Sequence, residues 1–153
     1  MDWLRIAPAF KPDGFLRDIY IFDTSLMDWE RVWEILLADP HRLSFSVDGE
    51  ITAPPADAAE VFRLGQAHSV CASLALGKQR LNCHFFTEEE VEFDLDPRDV
   101  RGPSEAERLE QFLAELGRTT AKEVRLTPES GRHLIIARFD PAVGQVEWMP
   151  WAA

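Results

Sequence analysis

Apolar and polar positions alternate through the middle of the chain. From residue 91 to 96 every second residue is apolar and the others are acidic: Val91, Phe93 and Leu95 against Glu92, Asp94 and Asp96. Period-two alternation predicts a strand with one buried side and one solvated side. The apolar side would face a core, and the other side would carry a row of carboxylates.

Two further alternating runs precede this strand and predict a hairpin. One run covers 70–76 and the other 81–85, and Gly77-Lys78 between them suits a type II′ turn because glycine comes first. With the acidic strand in third place, these runs predict a meander from about residue 69 to 96.

Apolar residues at helical spacing follow a capping signal at two places. Ser25 and Asp28 occupy capping-box positions before one apolar stripe, and Ser104 and Glu107 occupy them before another, which ends at Gly117. A shorter helix is predicted over 56–64. These patterns predict two strong helices and one weaker helix.

The remaining apolar runs predict strands around this framework, at 18–23, 43–48, 123–126, 133–139 and 145–149. The first residues contain Pro8, Pro12 and Gly14, and are expected to be irregular or a short edge strand. We expect one α+β domain over residues 1–153. Its sheet would be largely antiparallel, with about six to eight strands and two or three helices packed mainly on one face.

Composition limits the cellular location and the classes of binding partner that we expect. The chain has a formal net charge of -11 and two cysteines, and 46% of its residues are hydrophobic, which is typical of a cytoplasmic globular protein without a disulfide framework. Arginine greatly outnumbers lysine, which favours a bacterial source. Acidic charge without a run of Lys and Arg argues against binding to nucleic acid or to an anionic membrane.

The carboxylates of the meander are the first candidate site. A solvated acidic row suits a basic protein partner, since opposite charge steers association. The predicted contact residues are Glu88, Glu89, Glu90, Glu92, Asp94 and Asp96. We expect no metal site, because same-face neighbours on a strand lie roughly 6.6–7 Å apart, too far to chelate one ion.

The second candidate site is a Cys–His pair. If the hairpin turns at Gly77-Lys78, Cys71 lies opposite His84, and Ser73 lies opposite Asn82. A neighbouring imidazole can activate a thiol as a nucleophile. The alternative is that Cys71 packs as a small residue and His84 is an ordinary surface residue.

Two functions therefore follow from the sequence. The first is an acidic interaction module for a basic partner; its size and charge resemble the general profile of bacterial immunity and inhibitor proteins. The second is a small-molecule-binding protein or enzyme around Cys71 and His84. The sequence contains no nucleotide-binding loop or hydrolase motif, so no cofactor is expected. Trp148 and Trp151 are expected to dock on the core or on a second subunit of a homodimer.

Overall fold

An antiparallel sheet forms the centre of the molecule, which we describe from a computed structural model covering residues 1–151. Within that range the sheet has nine strands in the order β3-β2-β4-β5-β6-β1-β7-β8-β9. The strands are β1 Arg17–Phe22, β2 Leu43–Val47, β3 Glu50–Thr52, β4 Val70–Leu76, β5 Gln79–Thr87, β6 Glu90–Leu95, β7 Val124–Pro128, β8 Ala137–Asp140 and β9 Gln145–Trp148. The antiparallel α+β class is confirmed, with a slightly larger strand count than expected.

The helices are α1 Trp3–Ile6, α2 Leu26–Leu37, α3 Ala58–Gly65 and α4 Pro103–Thr120, with short 3-10 turns at Ala7–Phe10 and Pro97–Asp99. Apolar residues of α2, α3 and α4 join one side of the strands in a single hydrophobic core. The largest fully buried side chains include Trp29, Trp33 and Phe93. The opposite side of the sheet is called the open face below.

The two strong helices begin in different ways. The capping box of Ser25 and Asp28 is present in α2. The box predicted at Ser104 and Glu107 is wrong, because Gly102 is the N-cap and Pro103 occupies the first turn. Proline is favoured there, since it has no N–H to satisfy and its φ is already helical.

Three other predictions are corrected. Residues 3–10 form α1, whose start is capped by the Asp2 side chain, and a 3-10 turn rather than an edge strand, whereas residues 11–16 are irregular as expected. The last long strand begins at Ala137 rather than at residue 133. The strand β3 was not predicted; it follows a tight turn in which Asp48 and Gly49 have φ of 52° and 83°, as a type I′ hairpin requires.

The predicted hairpin register is confirmed. Ala72 pairs with Cys83 and Leu74 with Leu81, and Gly77 has φ of 63°, which suits the first position of a type II′ turn. This register turns Cys83 into the core. It turns the alternate residues of β4, β5 and β6 onto the open face.

Candidate functional site

A row of polar side chains crosses the open face at right angles to the strands. Cross-strand pairing joins, in order, Ser44, Ser73, Asn82, Asp94, Asp18 and Thr127. Each of these residues comes from a different strand, so the row exists only once the sheet has formed.

Hydrogen bonds connect the middle of this row. The Ser73 hydroxyl donates to Asn82 Oδ1 over 2.8 Å, and Asn82 Nδ2 donates to Asp94 Oδ1 over 3.1 Å. The other carboxylate oxygen of Asp94 lies 2.5 Å from His84 Nε2. Asp94 is thus fixed by two neighbours on β5, and the imidazole of His84 is held in one orientation.

The electrostatic state of His84 follows from this contact. The hydrogen bond from the imidazole to Asp94 raises the pKa of His84, and burial opposes it only in part. The two side chains are 25% and 15% exposed, so solvent screens the pair weakly. His84 is thereby favoured in its charged form at a higher pH than a free histidine.

A second network lies beside the first, on β1. The Tyr20 hydroxyl donates to Asp18 Oδ2 over 2.9 Å, and the Ser130 backbone N–H donates to the same oxygen over 2.8 Å. Burial raises the pKa of Asp18 and also that of Glu92, which pairs in register with Tyr20. These two carboxyl groups therefore become protonated at a higher pH than exposed carboxyl groups do.

Arg132 covers the outer part of this second network. Its guanidinium lies 5.1 Å from the ring centre of Tyr20 and 5.5 Å from that of Phe22, within cation–π range. It also forms a two-pronged ion pair with Glu90. The loop after β7 therefore shields Tyr20 and Asp18 from solvent.

The six predicted contact carboxylates fall into two groups. Four are engaged within the molecule: Glu90 with Arg132, Glu92 beside Tyr20, Asp94 with His84 and Asn82, and Asp96 with Arg98. The Arg98 guanidinium lowers the pKa of Asp96. The other two, Glu88 and Glu89, are exposed in the turn between β5 and β6 and form no ion pair with any residue from 1 to 151.

This turn is held firmly although its side chains are exposed. The Thr24 hydroxyl donates to the Glu88 carbonyl over 2.7 Å, and the Thr24 N–H donates to the Glu89 carbonyl over 3.0 Å. The indole of Trp29 donates to the Thr87 carbonyl over 3.2 Å. Next to the turn, Phe86 is 73% exposed and stacks on His84 with ring centres 5.1 Å apart.

The environment of Cys71 differs from that of an activated thiol. Burial raises the pKa of the Cys71 thiol, and the negative charge of Asp94 raises it further, whereas a nucleophilic cysteine needs a lowered pKa. The Cys71 sulfur lies 3.8 Å from the Ala72 carbonyl, while His84 Nε2 is engaged by Asp94. The catalytic Cys71–His84 pair remains a prediction.

The C-terminal tryptophans dock on their own chain. Trp148 Nε1 donates to Glu110 Oε1 over 2.7 Å, and its ring packs edge-on against Phe10 at 6.1 Å. Trp151 is partly buried against the core. Both tryptophans thus contact their own chain, and a homodimer through them stays a prediction.

Several residues of the site were not singled out from the sequence. Asp18 and Tyr20 lie beside Ile19 and Ile21 and are themselves buried, because β1 is covered on both sides from Arg17 to Ile21. Their meeting with Glu92 depends on β1 lying next to β6, for which the sequence offers no local signal.

Comparison with known proteins adds no relative from which a function could be transferred. No protein-family model, no curated protein and no solved structure matches the chain. Among the described residues, no helix is both long and apolar enough to cross a membrane.

Proposed function

We propose that this protein is a small acidic interaction module that binds a basic protein partner through the open face of its sheet. The observation that carries this proposal is the turn between β5 and β6, which presents two exposed carboxylates, Glu88 and Glu89, next to the exposed ring of Phe86. Interfaces commonly combine an aromatic anchor with charged groups at its margin.

The rigidity of the turn supports a binding role. Its backbone carbonyls are bound by Thr24 and by the indole of Trp29, so the backbone that carries the two carboxylates needs little ordering when a partner arrives. Preorganisation of this kind lowers the entropic cost of association. The formal net charge of -11 adds long-range attraction for a cationic surface.

The engaged carboxylates have a different role in this proposal. Glu90 and Asp94 fix the shape of the face by bonding to Arg132 and His84, and Glu92 lies opposite Tyr20 in the sheet. The free charge at the turn would steer the partner, and Phe86 would provide apolar contact. Mutations at the turn should therefore change the association rate more than the stability of the fold.

The test is a pull-down from the native lysate with three tagged baits, read by quantitative mass spectrometry. The baits are the natural chain, the double variant E88Q/E89Q and the control E107Q/E115Q, which removes the same charge from exposed positions on α4. We expect one basic partner that is retained at low salt by the natural chain and the control, and is depleted from E88Q/E89Q. High salt should weaken its retention.

With the partner purified, association rates provide the second measurement. E88Q/E89Q should slow association by several-fold and Phe86→Ser should speed dissociation, because the first variant removes steering and the second removes buried contact. Equal retention and equal rates for E88Q/E89Q and the control would show that the turn is not the contact surface.

A further inference from the structure

A second feature of the open face lies at the opposite end of β5. A cavity of about 360 Å³ opens between the start of β2 and the β4–β5 turn. Four basic residues line it, together with two hydroxyl groups and the amide of Gln79: His41, Arg42, Lys78, Arg80, Ser44 and Ser73. The lining contains no Asp or Glu, although the chain has 27 acidic and 16 Lys and Arg residues.

The three permanent charges of this cavity lack acidic partners. Within residues 1–151, Arg42, Lys78 and Arg80 form no ion pair with a carboxylate. The nearby acids bond to backbone instead, since Asp39 accepts from the His41 N–H and Asp99 accepts from the Arg80 N–H. No direct ion pair within residues 1–151 therefore neutralises these three side chains.

The positions of the cations are set by the fold. Arg42 Nη2 donates to the Ile35 carbonyl at the end of α2 over 3.2 Å, and Arg42 Nε is buried without a hydrogen-bond partner among the described residues. Arg80 lies opposite Ala75 on the open face, so a short side chain leaves space beside its guanidinium. Lys78 follows Gly77 in the tight turn.

We propose that this cavity binds the phosphate group of a small phosphorylated molecule. The exposed guanidinium of Arg80 presents forked N–H donors that match the oxygens of phosphate, and the exposed ammonium of Lys78 adds a point charge. Arg42, whose Nη2 is held by the Ile35 carbonyl, adds a third positive charge. The Ser44 hydroxyl is a further donor at the same wall. A bound dianion would relieve the repulsion between Arg42, Lys78 and Arg80.

The size of the ligand follows from the charge around the cavity. A nucleic acid would bring many phosphates against a protein of net charge -11, and the repulsion would outweigh three local contacts. A small molecule with one phosphate places its charge inside the cavity only. The site is independent of the basic partner proposed above.

The experiment is an amide NMR titration of the full chain at low chloride concentration. The probes are inorganic phosphate and glycerol 3-phosphate, with glycerol as the neutral match and succinate as a carboxylate dianion. We expect saturable shifts confined to residues 41–44 and 73–80 with the two phosphates, and no shifts with glycerol.

Two double variants test the assignment. Lys78→Gln with Arg80→Gln should weaken phosphate binding by about tenfold or more, since charge-assisted hydrogen bonds are lost. The control K11Q/R101Q removes the same charge from exposed positions elsewhere and should bind as the natural chain does. Both pairs of side chains are exposed, so unchanged amide spectra outside the cavity will confirm folding.

Three results would overturn the proposal. Shifts that stay linear in phosphate concentration, or that appear at all arginines together, would show diffuse screening rather than a site. Equal weakening by the control would mean that overall charge is responsible. Tighter binding of succinate than of phosphate would assign the cavity to carboxylates.

Discussion

The strand β5 connects two surfaces of opposite charge. It begins beside Lys78 and Arg80, which are exposed and have no acidic partner, and it ends at Glu88 and Glu89, which are exposed and have no basic partner among the described residues. At about 3.4 Å per residue the two ends lie roughly 27 Å apart, which exceeds the Debye length of about 8 Å at physiological salt. Each end therefore presents its own charge to solvent.

The two ends differ also in how they are anchored. The acidic end is bound by Thr24, just before α2, and by the indole of Trp29 in α2, which packs against Phe62 and Phe85 in the core. The cationic end is a tight turn supported mainly by Gln79, whose amide donates to the Glu105 carbonyl over 2.7 Å. The net charge of the chain does not reveal either surface, because it sums the acidic and basic residues of the whole molecule.

The largest expected effect comes from removing the anchor of the acidic end. Trp29→Ala deletes a fully buried aromatic side chain, so we expect the free energy of unfolding to fall by about 3–5 kcal/mol. Urea unfolding measures this loss. Amide exchange should accelerate most at residues 87–90, since Thr87 loses its bond to the indole.

Trp29→Phe separates the two contributions of this residue. It keeps an aromatic ring in the core but removes the indole donor, so the expected loss is smaller, and about 1 kcal/mol of it belongs to the hydrogen bond. Comparable losses in the two variants would show that the acidic end depends on the hydrogen bond rather than on packing.

A smaller effect is expected at the turn of the cationic end. Gly77 has φ of 63°, and an added Cβ would lie 2.9 Å from Arg108 Cδ. Gly77→Ala should therefore lower the free energy of unfolding by about 1–2 kcal/mol, through backbone strain and this close contact. It should also disturb the amide shifts of residues 78–80.

Gly144 provides the matched control for this turn. Its φ is 77° and no heavy atom lies within 4 Å of an added Cβ, so Gly144→Ala measures the backbone strain alone. We expect the larger loss for Gly77→Ala, because it adds the contact with Arg108 to the strain of the type II′ turn. If Gly144→Ala is the more damaging change, the packing argument for the β4–β5 turn is wrong.

The sequence predicts the local parts of this fold better than its edges. The β4–β5 register followed from Gly77-Lys78 and from alternation, because both signals are short-range. The strand β3 was not predicted because Glu50, Ile51 and Thr52 form a run of only three residues, which is too short to show a period-two pattern. The Asp48-Gly49 pair before it was the signal that could have indicated a hairpin.

The acidic turn and the basic cavity of the open face also differ in how far the sequence predicts them. Glu88 and Glu89 are adjacent in the sequence, so their cluster was visible before folding. Arg42 and Arg80 are brought together only because β2 pairs with β4 and β4 with β5, so the absence of a basic run in the sequence did not exclude a basic site. Sheet order is a long-range property, and the local pattern does not determine it.

The smallest predicted effect concerns His84, in the middle of β5. Asp94 raises the pKa of His84 in the folded protein above the ordinary value, which the unfolded chain retains. A raised histidine pKa stabilises the fold fully below the unfolded pKa of about 6.5, and this stabilisation is lost as pH rises through the folded pKa. The free energy of unfolding should therefore be higher for the natural chain than for His84→Gln, and this difference should be larger at acidic pH than at alkaline pH.

The measurement is urea unfolding of both chains at about pH 5.5 and pH 9, with an expected excess of about 1 kcal/mol at the lower pH only. Glu92 and Asp18 also bear on His84, but they are present in both chains and largely cancel in the difference. His41→Gln, at an exposed position, controls for the loss of any histidine. A difference that does not vary with pH would mean that the contact of His84 with Asp94 stabilises the fold as a neutral hydrogen bond, and that His84 adds no positive charge between the cationic end and the acidic end.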